Sequence, residues 1–364
     1  MTGSASGGGG GAVCDPAAEH SSDPHNCGAC GHDCLGAACS AGVCQPVAIW
    51  TGNAAPPLFV DDTYVYWMRI QGMGEHDCSA FTVVRAPKHS GALSTAPEQV
   101  LDEGAADVAV RDGYVNYGTR RCGLADGSFK RFPSDFVGIP PITTLGSWQY
   151  GGAGLAAGAG ELYVVVLKAL GDPPPVDIVA LPLAGGVPTT LASPTDGSRI
   201  VTDDTNLYWG SLNRDTITAM PLAGGAPFVM VSNQDLGVGA VTLGLVDAGS
   251  LYYADSSGFT GKLHRLNVGD SGNGEVLYAP PGGFVQIIPS VGGLDIATSG
   301  ADVCFQVTAS TESIVCVPKA GGAAREIVPG VQGMEIETLA ADDAAIYWIE
   351  SPGTTRGTVY RVAK

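Results

Sequence analysis

A seven-residue phrase recurs along this 364-residue chain and limits the folds open to it. Asp61-Asp62-Thr63-Tyr64-Val65-Tyr66-Trp67 returns as Asp203-Asp204-Thr205-Asn206-Leu207-Tyr208-Trp209 and again as Asp342-Asp343-Ala344-Ala345-Ile346-Tyr347-Trp348, with weaker copies between. Aligned on the tyrosine, the anchors are Tyr66, Asn116, Tyr163, Tyr208, Tyr252, Cys304 and Tyr347, spaced 43 to 52 residues apart. That period suits one four-stranded propeller blade and exceeds that of leucine-rich or helical-hairpin repeats.

Each repeat reads as four short strands, A to D. Strand A is an apolar run such as Arg199-Ile200-Val201, and the Asp-Asp pair turns the chain, because short acidic side chains bond their own backbone there. Strand B carries Tyr-Trp. Strand C carries an apolar-Pro phrase such as Ala180-Leu181-Pro182, and strand D follows a Gly-Gly turn such as Gly185-Gly186. No stretch shows a helical period. The last repeat ends at its strand C, Val359 to Val362, while Gln45 to Trp50 precedes the first repeat and reads as the missing strand D. The expected fold is all-β: a seven-bladed β-propeller whose N-terminal strand closes the last blade, preceded by a small disulfide-rich module. Residues 1–13 form a Gly/Ser-rich tether, 14–44 the cysteine-rich module and 45–364 the propeller. Removing residues 1–44 should leave the propeller folded.

Acidic residues number 36 against 18 Lys plus Arg, a formal charge of −18, and residues 1–45 contain no Lys or Arg. That balance argues against a nucleic-acid partner, which needs a basic surface, and disfavours anionic membranes. No apolar run is long enough for a transmembrane helix. Met1 to Gly11 lacks the apolar stretch of a signal peptide.

Six of the ten cysteines, Cys14, Cys27, Cys30, Cys34, Cys39 and Cys44, crowd into 31 residues. Such density in a Gly-rich segment with little apolar core points to disulfides among themselves; six cysteines allow 15 pairings and the spacing does not choose. Zinc held by the CxxC pair Cys27 and Cys30 with a neighbouring histidine is the rival reading. Downstream, Cys304 and Cys316 fall opposite each other on strands B and C of one hairpin and are expected to bond. Cys78 and Cys122, in B–C loops of neighbouring blades, are expected to staple the first blade to the second.

Asp23-Pro24-His25-Asn26-Cys27-Gly28-Ala29-Cys30-Gly31, then Cys34, Cys39 and Gly42-Val43-Cys44, resembles a short cysteine-rich module of predicted secreted proteins of myxobacteria. The Asp-Asp-x-x-apolar-Tyr-Trp repeats resemble the propellers that follow it. The resemblance implies an extracellular or envelope-associated protein of a high-GC Gram-negative bacterium, and carries over no catalytic residue.

No HExxH, GxSxG, P-loop or GxGxxG motif stands in a supporting context, so no catalytic residue, metal site or cofactor is predicted. The Asp-Asp pairs could attract calcium, but they lie in turns of separate blades and read as turn formers. What distinguishes one repeat from another is the face built by the B–C and D–A loops. Arg69, Glu75 and His76 lie in the first B–C loop, Met68 to Ser79, Arg120 and Arg121 in the second, Trp148 and Tyr150 in the D–A loop Gly146 to Gly152, and Arg199 at the start of an A strand. These are the candidate ligand-binding residues. They favour a secreted or cell-envelope binding or adhesion protein for a polysaccharide, peptide or protein surface partner. The alternatives are a polysaccharide lyase or hydrolase with its site at the channel mouth, and a structural subunit of an extracellular assembly.

Overall fold

The computed structural model describes residues 20–70, 81–88, 97–101, 105–119, 127–149, 152–169, 174–194, 197–211, 213, 215–256, 260–281, 284–286, 296–330, 332–352 and 357–364. A small hairpin, β1 (Cys39–Ser40) and β2 (Val43–Cys44), belongs to the cysteine module. Then come β3 (Val47–Val60), β4 (Tyr64–Ile70), β5 (Phe81–Pro87) and β6 (Glu98–Leu101). Three four-stranded antiparallel sheets follow. They are β7 (Ala105–Arg111), β8 (Tyr114–Thr119), β9 (Gly127–Pro133) and β10 (Thr143–Trp148); β11 (Gly152–Ala157), β12 (Glu161–Leu167), β13 (Val176–Pro182) and β14 (Thr189–Ala192); and β15 (Ile200–Thr202), β16 (Asn206–Gly210), β17 (Thr216–Pro221) and β18 (Phe228–Ser232). A fourth is β19 (Ala240–Asp247), β20 (Ser250–Ser256), β21 (Leu263–Asn267) and β22 (Glu275–Tyr278). In the next, β23 (Phe284–Gln286) and β24 (Ile296–Ser299) share the inner edge of β25 (Asp302–Thr308), followed by β26 (Glu312–Pro318) and β27 (Arg325–Val328). The chain ends with β28 (Glu335–Ala341), β29 (Ala345–Ser351) and β30 (Gly357–Ala363). One turn of helix, α1 (Asn233–Leu236), capped by Ser232 and Gly237, sits in a D–A connection where the sequence pattern predicts none.

The inner strands β3, β7, β11, β15, β19, β24 and β28 touch in succession, and β28 touches β3. They form a closed ring: a β-propeller. Closure is the work of β3, which belongs to two blades. Its first half pairs with β30, Val47 opposite Arg361 and Trp50 opposite Val359, and its second half pairs with β4. The expected N-terminal closing strand is therefore present, and it supplies the last blade with its outermost strand.

The recurring phrase has a specific geometry. Asp61 Oδ1 accepts the N–H groups of Thr63 (2.7 Å) and Tyr64 (2.6 Å), while Oδ2 accepts the Tyr66 hydroxyl at 2.6 Å. Asp203 does the same with Thr205, Asn206 and Tyr208, and Asp342 with Ala344, Ala345 and Tyr347. One carboxylate thus ties the turn and orients the buried ring. Burial first, and the adjacent carboxylate second, push all three tyrosine hydroxyls well above their usual pKa. The second aspartate acts differently. Asp204 accepts the Ala159 N–H (3.0 Å) and pairs with Arg111; Asp343 accepts the Gly300 N–H (3.1 Å). In these two repeats it latches one blade to the turn of the blade before it. After each of three C strands, Gly185, Gly224 and Gly321 donate to the carbonyls of Pro182, Pro221 and Pro318, and each following glycine also has positive φ, which favours glycine there.

Two further repeats lie in the pairing. Opposite the seven anchors on strand C stand Arg85, Arg131, Ala180, Ala219, Arg265, Cys316 and Arg361. Three of these arginines donate to a carbonyl of the next blade: Arg85 to Phe136, Arg265 to Lys319 and Arg361 to Lys88. Cys304 and Cys316 fill the same paired slot with the expected disulfide, Cα atoms 4.0 Å apart. In the outermost ladders the register slips past one apolar residue at the same position each time: Ile49, Val100, Leu145, Leu191, Met230, Leu277 and Ile327. Each slip is a β-bulge that sinks an apolar side chain and twists an otherwise flat edge, which discourages edge-to-edge pairing.

The cysteine module is docked on this ring. Cys27–Cys39 and Cys34–Cys44 are disulfides, and Cys30 is disulfide-bonded as well. Cys14, Cys78 and Cys122 lie outside the described residues, so the expected Cys78–Cys122 staple does too. Arg361 is fully buried; its Nη1 donates to Lys88 O at 2.6 Å and its Nη2 to Leu35 O at 2.8 Å. Lys88 Nζ in turn pairs with Asp342 Oδ2 at 2.7 Å. Burial opposes the Asp342 charge, but Lys88 and two backbone N–H groups outweigh it and hold its pKa below the ordinary value. One guanidinium therefore ties the module, the first blade and the last.

Two outcomes follow from these contacts. Asp203→Ala should cost about 2–4 kcal/mol, because it strips charge-assisted bonds from two backbone donors and a buried hydroxyl, whereas exposed Asp62→Ala should stay within about 0.5 kcal/mol in denaturant titrations. The chain lacking residues 1–44 should fold but lose roughly 2–4 kcal/mol, because Arg361 keeps its charge and loses the Leu35 acceptor. In that truncated chain Arg361→Met should recover part of the loss, while in the full chain the same change should destabilise.

Candidate functional site

The inner strands enclose a cavity of about 400 Å³ on the ring axis. Its wall is largely aliphatic, with residues such as Val108, Ala156 and Val246. The two ends differ. At the end where the A strands finish, Asp247 is paired with Lys319, and the Thr202 hydroxyl donates to the Asn206 carbonyl, so the polar groups there serve the turns. At the end where the A strands begin stand Asp107 and Arg199, from blades separated by β11.

Local backbone geometry places both. β7 slips register between Ala105 and Asp107, and β11 slips between Gly152 and Gly154. A bulge of this kind re-aims the next side chain. Gly154 is needed where β11 approaches the residues leading into β15, because a Cβ there would stand 3.1 Å from the Ser198 carbonyl oxygen. Asp107 Oδ2 then accepts the Leu155 N–H at 2.8 Å and Oδ1 accepts the Val108 N–H at 2.9 Å. Burial pushes the Asp107 carboxyl up to about 6, against the opposing pull of the Leu155 N–H and the Arg199 charge. A carboxyl that titrates near neutrality beside a permanent cation can switch the mouth between a neutral and a positive state.

Of the residues expected on this face, the structure places three. Arg199 lines the cavity. Arg69 is not in the B–C loop as expected: strand pairing continues past Met68, and Arg69 lies on β4 between Ala54 and Thr82, with its Nε buried and no hydrogen-bond partner for that atom among the described residues. Trp148 corrects an expectation. It is not in a loop at the mouth but ends β10, the outermost strand of its sheet, roughly 14 Å from β7 at ordinary strand spacing. Its ring packs edge-on against Phe129, centroids 5.6 Å apart, and covers Gly146, where any Cβ would collide with it at 2.5 Å. It borders a separate pocket of about 280 Å³ between two blades, which also holds the Lys168–Asp177 ion pair. Arg199 and Trp148 therefore belong to different sites. Glu75, His76, Arg120, Arg121 and Tyr150 lie outside the described residues.

Asp107 is absent from the residues expected on this face. Its signal in the sequence is a lone carboxylate in the apolar run Ala105-Ala106-Asp107-Val108-Ala109-Val110.

No family model matches the sequence, and no curated protein matches it. Solved structures do match in shape. The β-propeller domain of the Trilobed protease from Pyrococcus furiosus aligns with a TM-score of 0.60 at 10% identity, covering 86% of this chain and 96% of that one. The acylaminoacyl peptidase of Pyrococcus horikoshii aligns at 0.61 and 9% identity, and the puromycin-hydrolyzing peptidase of Mycobacterium tuberculosis at 0.59 and 13%; each alignment covers 86% of this chain and 51% of the other. The chain spans about half the length of these two peptidases. At such identities the likeness shows the fold alone, that of a β-propeller.

The sign of the pH effect is set by Asp107. Its folded pKa of about 6 lies above the unfolded value of 3.8, so the stability its proton contributes is complete below pH 4 and is lost as pH rises through 6. Asp107→Asn, which keeps an acceptor for Leu155, should raise stability at pH 8 by on the order of 1–2 kcal/mol and change little at pH 4. Equal effects at both pH values in denaturant titrations would remove the claim.

Proposed function

We propose that the protein is an extracellular or cell-envelope binding protein, a seven-bladed propeller that takes its ligand at the channel mouth marked by Asp107 and Arg199. One observation carries the reading. At the mouth, Asp107 and Arg199, unlike charges from two different blades, stand together on the cavity, away from the repeated, internally bonded turns. Arg199 can fork onto a carboxylate or carbonyl, and Asp107 can accept from or donate to a hydroxyl or amide. A peptide segment or polysaccharide offers those groups together. The aliphatic wall behind them takes an apolar side chain or a sugar face.

Placement outside the cell is supported by the Cys27–Cys39, Cys34–Cys44 and Cys304–Cys316 disulfides, since such bonds persist in oxidising compartments. Among the described residues no helix is long and apolar enough to cross a membrane. The cysteine module and its resemblance to secreted myxobacterial proteins favour the same placement.

The test is a screen of immobilised neutral polysaccharides and a random peptide library against the purified chain, repeated with Arg199→Ala and Asp107→Asn. Arg199→Ala should weaken any hit at least tenfold without lowering the melting temperature by more than a few degrees. Hits that survive both substitutions, and are lost instead on changing Trp148, would move the site to the pocket between blades.

A further inference from the structure

Two clefts occupy equivalent places at successive seams between blades. The first, about 280 Å³, lies where the end of β10 meets β12 and β13; Trp148, Val166, Asp177, Val179 and Pro188 line it. The second, about 440 Å³, lies where the end of β14 meets β16 and β17; Pro194, Ser211, Thr216, Thr218 and Pro227 line it. Strand pairing makes the two sets correspond position for position. Val166 and Ser211 each stand three residues past the anchor tyrosine. Asp177 and Thr216 stand three before the residue opposite that anchor, and Val179 and Thr218 one before it. Trp148 and Pro194 each stand three past the bulged Leu145 or Leu191. Both clefts therefore open on the face of the B–C and D–A connections, one on each side of the sheet that contains β14.

The next seam shows what closes such a cleft. There the same positions carry Asp255, Lys262 and His264. The His264 ring stacks on Tyr253, centroids 4.8 Å apart, and its Nε2 lies 2.8 Å from Asp255 Oδ2, so buried side chains fill the space. In the second cleft Trp209 takes the place of Tyr253, and the residue opposite it is Thr218 rather than a second ring. The room beside the indole stays open.

The chemistry of both clefts suits a neutral, hydroxyl-rich ligand. Among the described residues the second cleft is lined by no charged side chain but by the hydroxyls of Ser193, Ser211, Thr216 and Thr218. Ser211 Oγ accepts the N–H groups of Asp215 (2.8 Å) and Thr216 (3.1 Å), which leaves its O–H to donate. In the first cleft Lys168 Nζ pairs with Asp177 Oδ1 at 3.1 Å, and the Ser193 hydroxyl donates to the same oxygen at 2.6 Å. The two charges cancel, and among the described residues Asp177 Oδ2 takes no bond and can accept from a ligand hydroxyl. Trp148 and Pro188 in one cleft, and Pro194 and Pro227 in the other, add apolar surface for the face of a sugar ring. Packed sheets stand about 10 Å apart, so the clefts are separated by at least about that distance, within reach of a chain of a few sugar units.

We infer that the two clefts are subsites for successive parts of one neutral glycan chain, which crosses the rim of the blade between them. This site goes beyond the channel mouth and uses neither Arg199 nor Asp107.

The test titrates the full chain, by calorimetry, with maltohexaose, cellohexaose, laminarihexaose and chitohexaose, and with glucose and N-acetylglucosamine. At least one hexasaccharide should bind roughly tenfold or more tightly than its monosaccharide, because filling one cleft makes contact with the other intramolecular. Thr218→His, which puts into the second cleft the ring that closes the next seam, and Trp148→Ala should each weaken that binding by roughly tenfold. Arg199→Ala should leave it unchanged. Melting curves show whether each variant is folded; if Trp148→Ala is not, Asp177→Asn, which keeps the shape of the first cleft and removes its carboxylate, takes its place and should weaken binding as well. Binding of none of the hexasaccharides, or binding no tighter than that of the monosaccharide, overturns the inference. Loss in only one of the two folded cleft variants overturns the two-subsite arrangement. Binding lost in Arg199→Ala and kept in both cleft variants overturns the clefts and assigns the glycan to the mouth. Binding kept in Arg199→Ala and lost in both cleft variants supports the clefts and leaves the mouth to be judged on its peptide ligands.

Discussion

An open sheet edge is the constraint from which the rest of this molecule follows. A ring of blades keeps only short outer edges if the first and last join, and here one strand, β3, joins them by serving two blades. Covalent continuity is then the closure. The seam where it happens is held by polar bonds: the Lys88–Asp342 pair, the Arg361 bonds to Lys88 and Leu35, and the Ser299 hydroxyl donating to the Asp342 carbonyl. A buried guanidinium without acceptors would cost several kcal/mol, so the module that supplies Leu35 is part of the closure rather than an attachment to it.

The fold was legible because a propeller repeats its chemistry. Asp-x-x-x-x-Tyr is readable at sequence level since the carboxylate must reach both its own turn and the ring five residues on. The same repetition made Cys304 and Cys316 readable as a pair, for it puts them on strands B and C of one hairpin, directly opposite each other. What the phrase did not reveal is that its two aspartates differ. Asp203 works within its turn and Asp204 across a seam, and only the spatial neighbour, Arg111 from 93 residues away, separates them. The bulges of the outer strands left a faint trace: adjacent apolar residues such as Met230 and Val231 interrupt the two-residue period where the register slips.

The candidate site was legible only in part, for physical reasons. Strand ends are indistinct in sequence, and Trp148 reads equally well as the last residue of a strand or the first of a loop. Tertiary packing decides: Phe129 and the bare face of Gly146 draw the indole onto the sheet. Arg199 was readable because it starts an A strand and so must lie near the channel. Asp107 was not, because its role depends on a bulge and on the Leu155 N–H of the next blade, neither of which leaves a mark in the surrounding residues.

Charge selects the kind of ligand more sharply than the formal −18 implies. Many of the 18 basic residues are engaged within the ring. Arg85, Arg265 and Arg361 bridge blades, Lys88 and Lys319 pair with the acids of neighbouring turns, and Arg111 holds Asp204. The acids outnumber them and include exposed ones such as Asp62 and Asp343. The field outside the ring is therefore negative and repels polyanions before contact. Arg199 opposes that field at the channel. A neutral chain reaches it without an electrostatic barrier, and a ligand with one localised carboxylate gains most where Asp107 is protonated, at pH below about 6. If the proposed ligand binds at this mouth, the field favours a neutral polysaccharide or peptide over an acidic polymer, and carboxylate recognition there belongs to mildly acidic surroundings.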